Sequence, residues 1–443
     1  MTGREAALKS LGKYRRSNSL PEMSSEILGN ESPNAFSDIA LAMQIFNGVL
    51  QNMAYCDYIA SYYSTIKLSK LQPIVLDILR ISVYQLLFLT RIPRSAAVDE
   101  SVKLAKKYAN PRAAGYVNAI LRKISDGAEN KTIPEVTEDN MEQRLSIAFS
   151  HPKWLVEEFF KILGENDTIK LLGINNSMST PTTIQVNTLL TDTSTVMSAL
   201  EECGIEARAH HWLSDCIELT NPGKLNRLDI FNQGYFYVQD AASKLAILAA
   251  KPQQGDFVID ACASPGGKSF AAAISMGDKG RILACDLNSK RLLRINDGIF
   301  RLRINCIETT AKDARHKDSE LIGKADLVIA DVPCSNIGTI RKKPDIRYKN
   351  QNAIAALAEI QSSILSNLST YVKPGGTLLY STCTVLPAEN QDIIYSFLEK
   401  HPEFSPAHYQ LPFIGEVPDG MVTLWPHIHG TDGFFICKLV RNT

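Results

Sequence analysis

Cys334 in DLVIADVPCS and Cys383 in TLLYSTCT each lie just past an apolar run that reads as a strand end, downstream of a glycine turn, DACASPGGKS, that begins at Asp260. A lone cysteine is usually a small buried hydrophobe; two at adjacent ligand-facing strand ends point to thiol chemistry. The turn resembles a phosphate-binding loop, but that motif needs a glycine five residues before Gly267, where Cys262 stands, and the dinucleotide pattern GxGxxG is absent. What remains is a strand, a turn at Gly266 and Gly267 that admits close backbone approach, and Asp286 about 20 residues on, where a carboxylate grips ribose hydroxyls. This suits an adenosine moiety without pyrophosphate; the alternative is an ordinary strand-to-helix turn with a solvated aspartate. Asp313 in AKDAR is either a turn residue or an acceptor for an adenine amino group. Asp331 is either a helix cap or a carboxylate that touches both a cofactor and a nucleobase edge. The set suggests a thiol-dependent transferase with a nucleotide-like cofactor.

From about Ala241 the segments DFVIDAC, RILACD, INCIETT, DLVIADV, TLLYST and FFICKLV alternate with helical patterns, the longest of which is expected to end at Lys373-Pro374-Gly375-Gly376. Such alternation specifies an α/β fold with a mostly parallel sheet and ligands outside the carboxyl ends of its strands. The front of the chain lacks that rhythm. Ile39, Met43, Ile45, Phe46 and Val49, then Ile78, Ile81, Leu86 and Leu87, recur at helical spacing and predict an all-helical domain over residues 1–130, broken at Pro93 and Pro111. The polar stretch SDGAENKTIPEVTEDN predicts a linker. Beyond it HPKWLVEEFFKIL, TPTTIQVN, TSTVMSALEECG and FYVQD predict linker helices and a small α/β subdomain over 141–235, ahead of a catalytic domain over 236–443.

At 443 residues, two or three domains are expected. Acidic and basic side chains balance at 47 each, so a nucleic-acid partner requires a local patch. Two clusters qualify: Arg341, Lys342, Lys343, Arg347 and Lys349 beside Cys334, and Lys103, Lys106, Lys107, Arg112, Arg122 and Lys123 near the front. Each is either a phosphate contact or a solvated charged face. The nine cysteines include no CxxC pair and no zinc-type Cys/His spacing, which predicts a reduced, cytoplasmic protein without a metal. The longest apolar run, Ile74 to Leu89, is interrupted by Asp77 and Arg80, and no apolar segment follows the charged N-terminus, so no membrane segment or secretion signal is expected.

DACASPGGK, ACD, KDA, DVPCS and STCT, followed by Pro387, Glu389 and Asn390, resemble successive motifs of the Nop/Sun family of RNA cytosine-5 methyltransferases. LRISVYQLLFL, IPRSAAVDESVKLAKKY and GYVNAILRK resemble the NusB-like helical RNA-binding domain of the branch that acts on bacterial small-subunit (16S) rRNA. With HPKWLVEEF, VQDAAS and TDGFF, the resemblance covers almost the whole chain. It implies a Rossmann-like catalytic domain binding S-adenosylmethionine through Cys262, Ala263, Ser264, Pro265, Gly266, Gly267 and Lys268 and through Asp286, Asp313 and Asp331. It further implies Cys383 as nucleophile, Cys334 as the thiol that assists product release, and 16S rRNA or a small-subunit assembly intermediate as partner. Two positions depart from the family pattern: Asn336, where glycine is common, and Gln185, where an arginine often precedes Val-Asn.

A thiol is needed because C5 of cytosine is a poor nucleophile until a thiolate adds at C6. Asp331 would stabilise protonation at N3 during that addition. A free thiol, with a pKa of about 8.5, is mostly protonated at neutral pH, so the site should favour the Cys383 thiolate, and Lys268 is a candidate cation. Two other readings stay open here: a noncatalytic RNA-binding or assembly factor, and a methyltransferase for DNA or tRNA, of which the DNA reading would nominate Cys334 as the attacking thiol.

Overall fold

The computed structural model describes residues 1–17, 35–177 and 180–443; residues 18–34 of the expected helical domain lie outside them. The chain forms two compact units, one of Met1–Asn176 with Lys343–Tyr348, the other of Ser177–Lys342 with Lys349–Thr443.

The first unit is built from α1 (Gly3–Ser17), α2 (Ala35–Gln51), α3 (Met53–Tyr63), α4 (Pro73–Phe88), α5 (Arg94–Tyr108), α6 (Pro111–Glu129), α7 (Met141–Ala148) and α8 (Lys153–Asn175). α6 shows the local logic. Pro111 occupies the first turn, where its missing N–H costs nothing, and the Asn110 side chain accepts from Ala113 N at 2.9 Å. Ala114, Val117, Leu121 and Ile124 then bury one face at spacings of three and four. α7 and α8 fold with this unit, so the compact helical body runs to Asn176, past the polar stretch from Ser125.

A six-residue excursion, Lys343–Tyr348, also belongs to the helical unit. Its Arg347 is fully buried and donates to Gln51 O at 2.7 Å, Ser150 O at 3.1 Å, Asn175 O at 3.3 Å and Asn176 Oδ1 at 3.0 Å. Gln51 and Asn175 end α2 and α8, and Ser150 follows α7 closely. Helix C-termini leave carbonyls unpaired and carry partial negative charge, so three of them supply what a carboxylate would otherwise supply to this guanidinium. Burial pulls the Arg347 pKa down to about 10, which leaves it charged at neutral pH. The phosphate-clamp expectation is therefore wrong for Arg347. Tyr348 adds a bond to Leu50 O at 2.7 Å.

In the second unit, β1 (Thr182–Val186), α9 (Thr193–Glu202), β2 (Glu206–Ala209), β3 (Cys216–Thr220) and β4 (Phe236–Val238) make a small subdomain whose antiparallel sheet runs β2-β3-β1-β4. Ile184, Val186, Val196, Leu200, Ile217, Leu219 and Phe236 fill its core. Gln185 is fully buried there, donating to Gln239 O at 3.2 Å, so this departure from the family pattern lies in the interior and is no RNA contact.

After α10 (Ala241–Ala250) come β5 (Phe257–Asp260), α11 (Gly267–Ser275), β6 (Arg281–Asp286), α12 (Ser289–Leu302), β7 (Ile307–Ala311), β8 (Ala325–Asp331), α13 (Gln351–Ser369), β9 (Val372–Thr382), α14 (Gln391–Lys400), β10 (Phe404–Pro406), a β11 (Tyr409–Leu411) and β12 (Gly415–Val417) hairpin, β13 (Met421–Leu424) and β14 (Phe434–Arg441). The main sheet runs β10-β14-β9-β8-β5-β6-β7, with β13 paired to β14. β9, β8, β5, β6 and β7 are mutually parallel, so their carboxyl ends share one edge. Antiparallel β14 begins at that same edge, where Phe435 pairs with Thr382. The long helix ends at Ser369, short of the expected stop. Lys373–Gly376 instead lie in β9, where the register jumps from Ala325↔Val372 to Leu327↔Thr377.

Replacing Arg347 with Met should lower stability by about 3 kcal/mol, because buried carbonyls lose their donors. Urea unfolding of the full chain checks this; an unchanged midpoint would show that the helix ends do not need the guanidinium.

Candidate active site

Cys383 immediately follows β9 and Cys334 stands three residues past β8, so adjacent parallel strands deliver both thiols to one edge. Their Sγ atoms are 3.3 Å apart, with Cys334 buried and Cys383 half-buried. This proximity is fixed from beneath. Glu389, fully buried, accepts from Ser335 N at 2.8 Å, from Ser335 Oγ, and from Gln361 Nε2 at 3.0 Å. Gln361 also donates to Pro333 O at 2.9 Å. On the other loop Asn390 donates to Thr384 O at 3.0 Å and accepts from Thr382 Oγ1 at 2.6 Å, while Ser335 Oγ and Thr384 Oγ1 lie 2.9 Å apart. Each thiol is thus flanked by residues pinned to one dyad, Glu389–Asn390. The hydrogen bond with Cys383, then burial, raise the Cys334 thiol well above its ordinary pKa.

Asp331 ends β8. Its Oδ2 is 2.7 Å from Lys268 Nζ, and its Oδ1 accepts from Ser381 Oγ at 2.8 Å. Lys268, almost fully buried in the first turn of α11, also stands 5.0 Å above the ring centroid of Phe434. The ammonium is paired with Asp331, and no hydrogen bond joins it to Cys383. Among the described residues, the side-chain atoms that hydrogen-bond Cys383 Sγ are Cys334 Sγ and Asn336 Oδ1, the latter at 2.7 Å.

The glycine turn occupies the loop from β5 to α11. Ala263 N donates to Cys285 O at 2.7 Å and Gly266 N to Ala263 O at 2.6 Å, curling Cys262–Gly267 over the sheet edge across a cis Ser264–Pro265 bond. Gly266 has φ +109°, and a Cβ there would meet the Phe270 ring at 2.5 Å; one on Gly267 would meet Gln239 at 2.9 Å. Beneath the turn, Asp260 accepts from Ser269 Oγ at 2.6 Å through Oδ2, while its buried Oδ1 has no hydrogen-bond partner among the described residues. Burial, then the nearby Asp331 carboxylate, push the Asp260 carboxyl up to about 7. Asp286, at the end of β6, spends Oδ1 on Asn288 N at 2.9 Å, and Oδ2 has no protein partner among the described residues. These features fit S-adenosylmethionine: an unpartnered buried acceptor, a turn without side chains, and a carboxylate oxygen open at the next strand end. Asp313, two residues past β7, has both oxygens engaged by Arg315, the closest contact 2.6 Å, and this holds its pKa down at about 2. Adenine binding by Asp313 would require the partly exposed Arg315 to give up one of these bonds.

The basic segment after Cys334 is spent internally. Arg341 pairs with Asp432 at 3.1 Å, Lys342 bridges Asp240 at 2.6 Å and Asp432 at 2.8 Å, and Lys349 donates to Ser335 O at 2.7 Å. Of the five residues expected to clamp phosphate, Lys343 alone stays exposed without a charged or carbonyl partner among the described residues. The carboxylates of Asp240 and Asp432, remote in sequence, are the reason. In the helical unit Lys103 and Lys107 pair with Glu100 and Glu5, while Lys106, Arg112, Arg122 and Lys123 remain solvent-facing.

Sequence inspection passed over the roles of Asp260, Ser335, Gln361 and Phe434, and singled out Glu389 and Asn390 for resemblance alone. A carboxylate inside the otherwise apolar end of a strand is the one local signal that marks Asp260. Among the described residues no cluster of metal-ligating side chains occurs, and no helix is long and apolar enough to cross a membrane.

Because the folded-state pKa of Asp260 is raised, the stability it lends is fully present below about 3.8 and is lost as the pH rises to about 7. Asp260→Asn should flatten that fall, which urea midpoints measured between pH 4 and 7.5 would show; parallel profiles for the two proteins would contradict the assignment.

Comparison with known proteins identifies the family of each part of the chain. A family model described as 16S rRNA methyltransferase RsmB/F matches residues 247–440, the NusB family matches 1–126, and the ferredoxin-like domain of RsmF/B-like methyltransferases matches 151–226. The chain is 34% identical to the probable ribosomal RNA small subunit methyltransferase B of Bacillus subtilis, over 99% of this chain and 98% of that one. It is 31% identical to ribosomal RNA small subunit methyltransferase B of Erwinia tasmaniensis, over 91% of each. The crystal structure of PH0851 superposes with a TM-score of 0.79 at 28% identity, covering 99% of this chain and 98% of that one. The fold is also shared with NSun6 from Pyrococcus horikoshii, solved with SFG (TM-score 0.59, 22% identity, 66% of this chain and 98% of that one). The chain belongs to the 16S rRNA methyltransferase RsmB/F family, whose methyl donor is S-adenosylmethionine.

Proposed function

We propose that the protein methylates C5 of a cytosine in small-subunit (16S) rRNA through a covalent bond between Cys383 and C6 of the base, yielding 5-methylcytidine. The observation that carries this is the pair of thiols 3.3 Å apart at the carboxyl edge of the sheet, with Asp331 on the same strand end as Cys334. When bound, S-adenosylmethionine supplies a methyl group on a sulfonium. The backbone from Cys262 to Lys268, with Asp286, Asp313 and Asp331, would hold it.

The Cys383 thiolate adds to C6 while N3 takes a proton, which the Asp331 carboxylate stabilises, and C5 becomes nucleophilic. Once C5 has taken the methyl group, with S-adenosylhomocysteine as the leaving group, a base removes the C5 proton, the S–C6 bond breaks to return the Cys383 thiolate, and N3 returns its proton to solvent, leaving neutral 5-methylcytosine. Cys334 suits the supporting part. Held protonated, it donates its S–H toward the neighbouring sulfur and so favours departure of Cys383 as an anion. A noncatalytic factor would have no use for a thiol pair held by buried polar groups, and attack by Cys334 disagrees with its burial beside a half-buried Cys383. The solvent-facing Lys106, Arg112, Arg122 and Lys123 are the phosphate contacts this reading favours.

Cys383→Ala should abolish methyl transfer. Cys334→Ala should permit attack and stall release, leaving a protein–RNA adduct that survives denaturing electrophoresis. An adduct with Cys383→Ala and none with Cys334→Ala would reverse the two roles.

A further inference from the structure

We infer that Asn336 is a positioning residue that sets the protonation state of Cys383, an inference that rests on Cys383 being the nucleophile. Asn336 stands two residues past Cys334 in the left-handed region, at φ +62° and ψ +19°. Asparagine tolerates that region better than most side chains, and its backbone carbonyl closes the turn by accepting from Thr339 N at 2.9 Å and Thr339 Oγ1 at 3.0 Å. The turn aims the side chain at both sulfurs: Oδ1 is 2.7 Å from Cys383 Sγ and 3.4 Å from Cys334 Sγ.

The surrounding titratable groups are engaged elsewhere. Glu389 bonds Ser335 and Gln361, Lys349 bonds Ser335 O, and Lys268 and Asp331 bond each other. Among the described residues none of these charged groups hydrogen-bonds the Cys383 sulfur. Its two polar neighbours are the Cys334 thiol and the Asn336 amide.

An amide is suited to a sulfur that must alternate between thiol and thiolate. With Oδ1 toward Cys383 it accepts the S–H of the resting thiol. Rotation about the last side-chain bond exchanges Oδ1 for Nδ2, and an N–H then points at the thiolate once the proton has gone to solvent. Nδ2 has no other partner among the described residues, so this rotation gives up only the two sulfur contacts of Oδ1, to Cys383 at 2.7 Å and to Cys334 at 3.4 Å. Glycine keeps the turn but loses the donor. Aspartate keeps the size and places negative charge against the sulfur.

The test is the pH profile of Cys383 alkylation by iodoacetamide, read by peptide mass spectrometry on the full chain for wild type, Asn336→Gly and Asn336→Asp. Retained S-adenosylmethionine binding serves as the folding control. Loss of a hydrogen bond to a charged group corresponds to about one to two pH units. Asn336→Gly should shift the midpoint upward by that amount, with methyl transfer falling in kcat at neutral pH, recovering at alkaline pH, and leaving KM for RNA unchanged. Asn336→Asp should shift at least as far. A Gly profile that overlays wild type, or an Asp midpoint below it, overturns the inference. Methyl transfer surviving in Cys383→Ala would instead remove the nucleophile reading, while the alkylation profile still reports on Asn336 by itself.

Discussion

Everything at the site depends on one buried polar dyad. Glu389 and Asn390 have no exposed surface, and their side chains are spent on the loops that leave β8 and β9. A buried carboxylate is tolerated only where donors surround it, and here Ser335 N, Ser335 Oγ and Gln361 Nε2 do so. Because Ser335 directly follows Cys334, and the Asn390 partners Thr382 and Thr384 flank Cys383, satisfying the dyad brings the two sulfurs into contact. The strand ends alone would leave them on adjacent flexible loops. Close backbone packing completes the arrangement: Gly338 N donates to Cys383 O at 3.0 Å and Gly433 N to Gly338 O at 2.8 Å, an approach with no room for a Cβ on Gly338.

The same principle organises the charges around the thiols. Asp331 is offset by Lys268, and the Asp240–Asp432 pair by Arg341 and Lys342. Cations that look available for RNA in the sequence instead neutralise carboxylates arriving from remote segments. The edge next to the thiols therefore carries little free positive charge. The RNA contacts proposed above therefore fall to other surfaces, such as that of the helical unit bearing the exposed Lys106, Arg112, Arg122 and Lys123.

Much of this was legible in the sequence, because it was written locally. Alternating apolar runs gave the parallel strands, helical spacing gave the front unit, and cysteines directly after two runs gave the thiols. The glycine turn was readable because glycine at φ +109° serves a backbone need that few other residues meet. What could not be read were pairings across long separations. Arg347 looked like one more member of a basic loop, yet it meets Gln51, 296 residues away, and helix ends that no periodicity flags as partners. Glu389 binds Ser335 across 54 residues. Asn336 registered as a departure from a pattern, and its contact with Cys383 depends on a backbone conformation that its residue type permits but does not announce.

The central claim is that this edge of the sheet builds 5-methylcytidine. The most direct test supplies S-adenosylmethionine with a labelled methyl group and deproteinised small-subunit rRNA to the full chain, followed by digestion and nucleoside analysis, with Cys383→Ala in parallel. Label in 5-methylcytidine with wild type, and none with the variant, is the expected result. Label in any other nucleoside, or equal labelling by Cys383→Ala, would contradict the account.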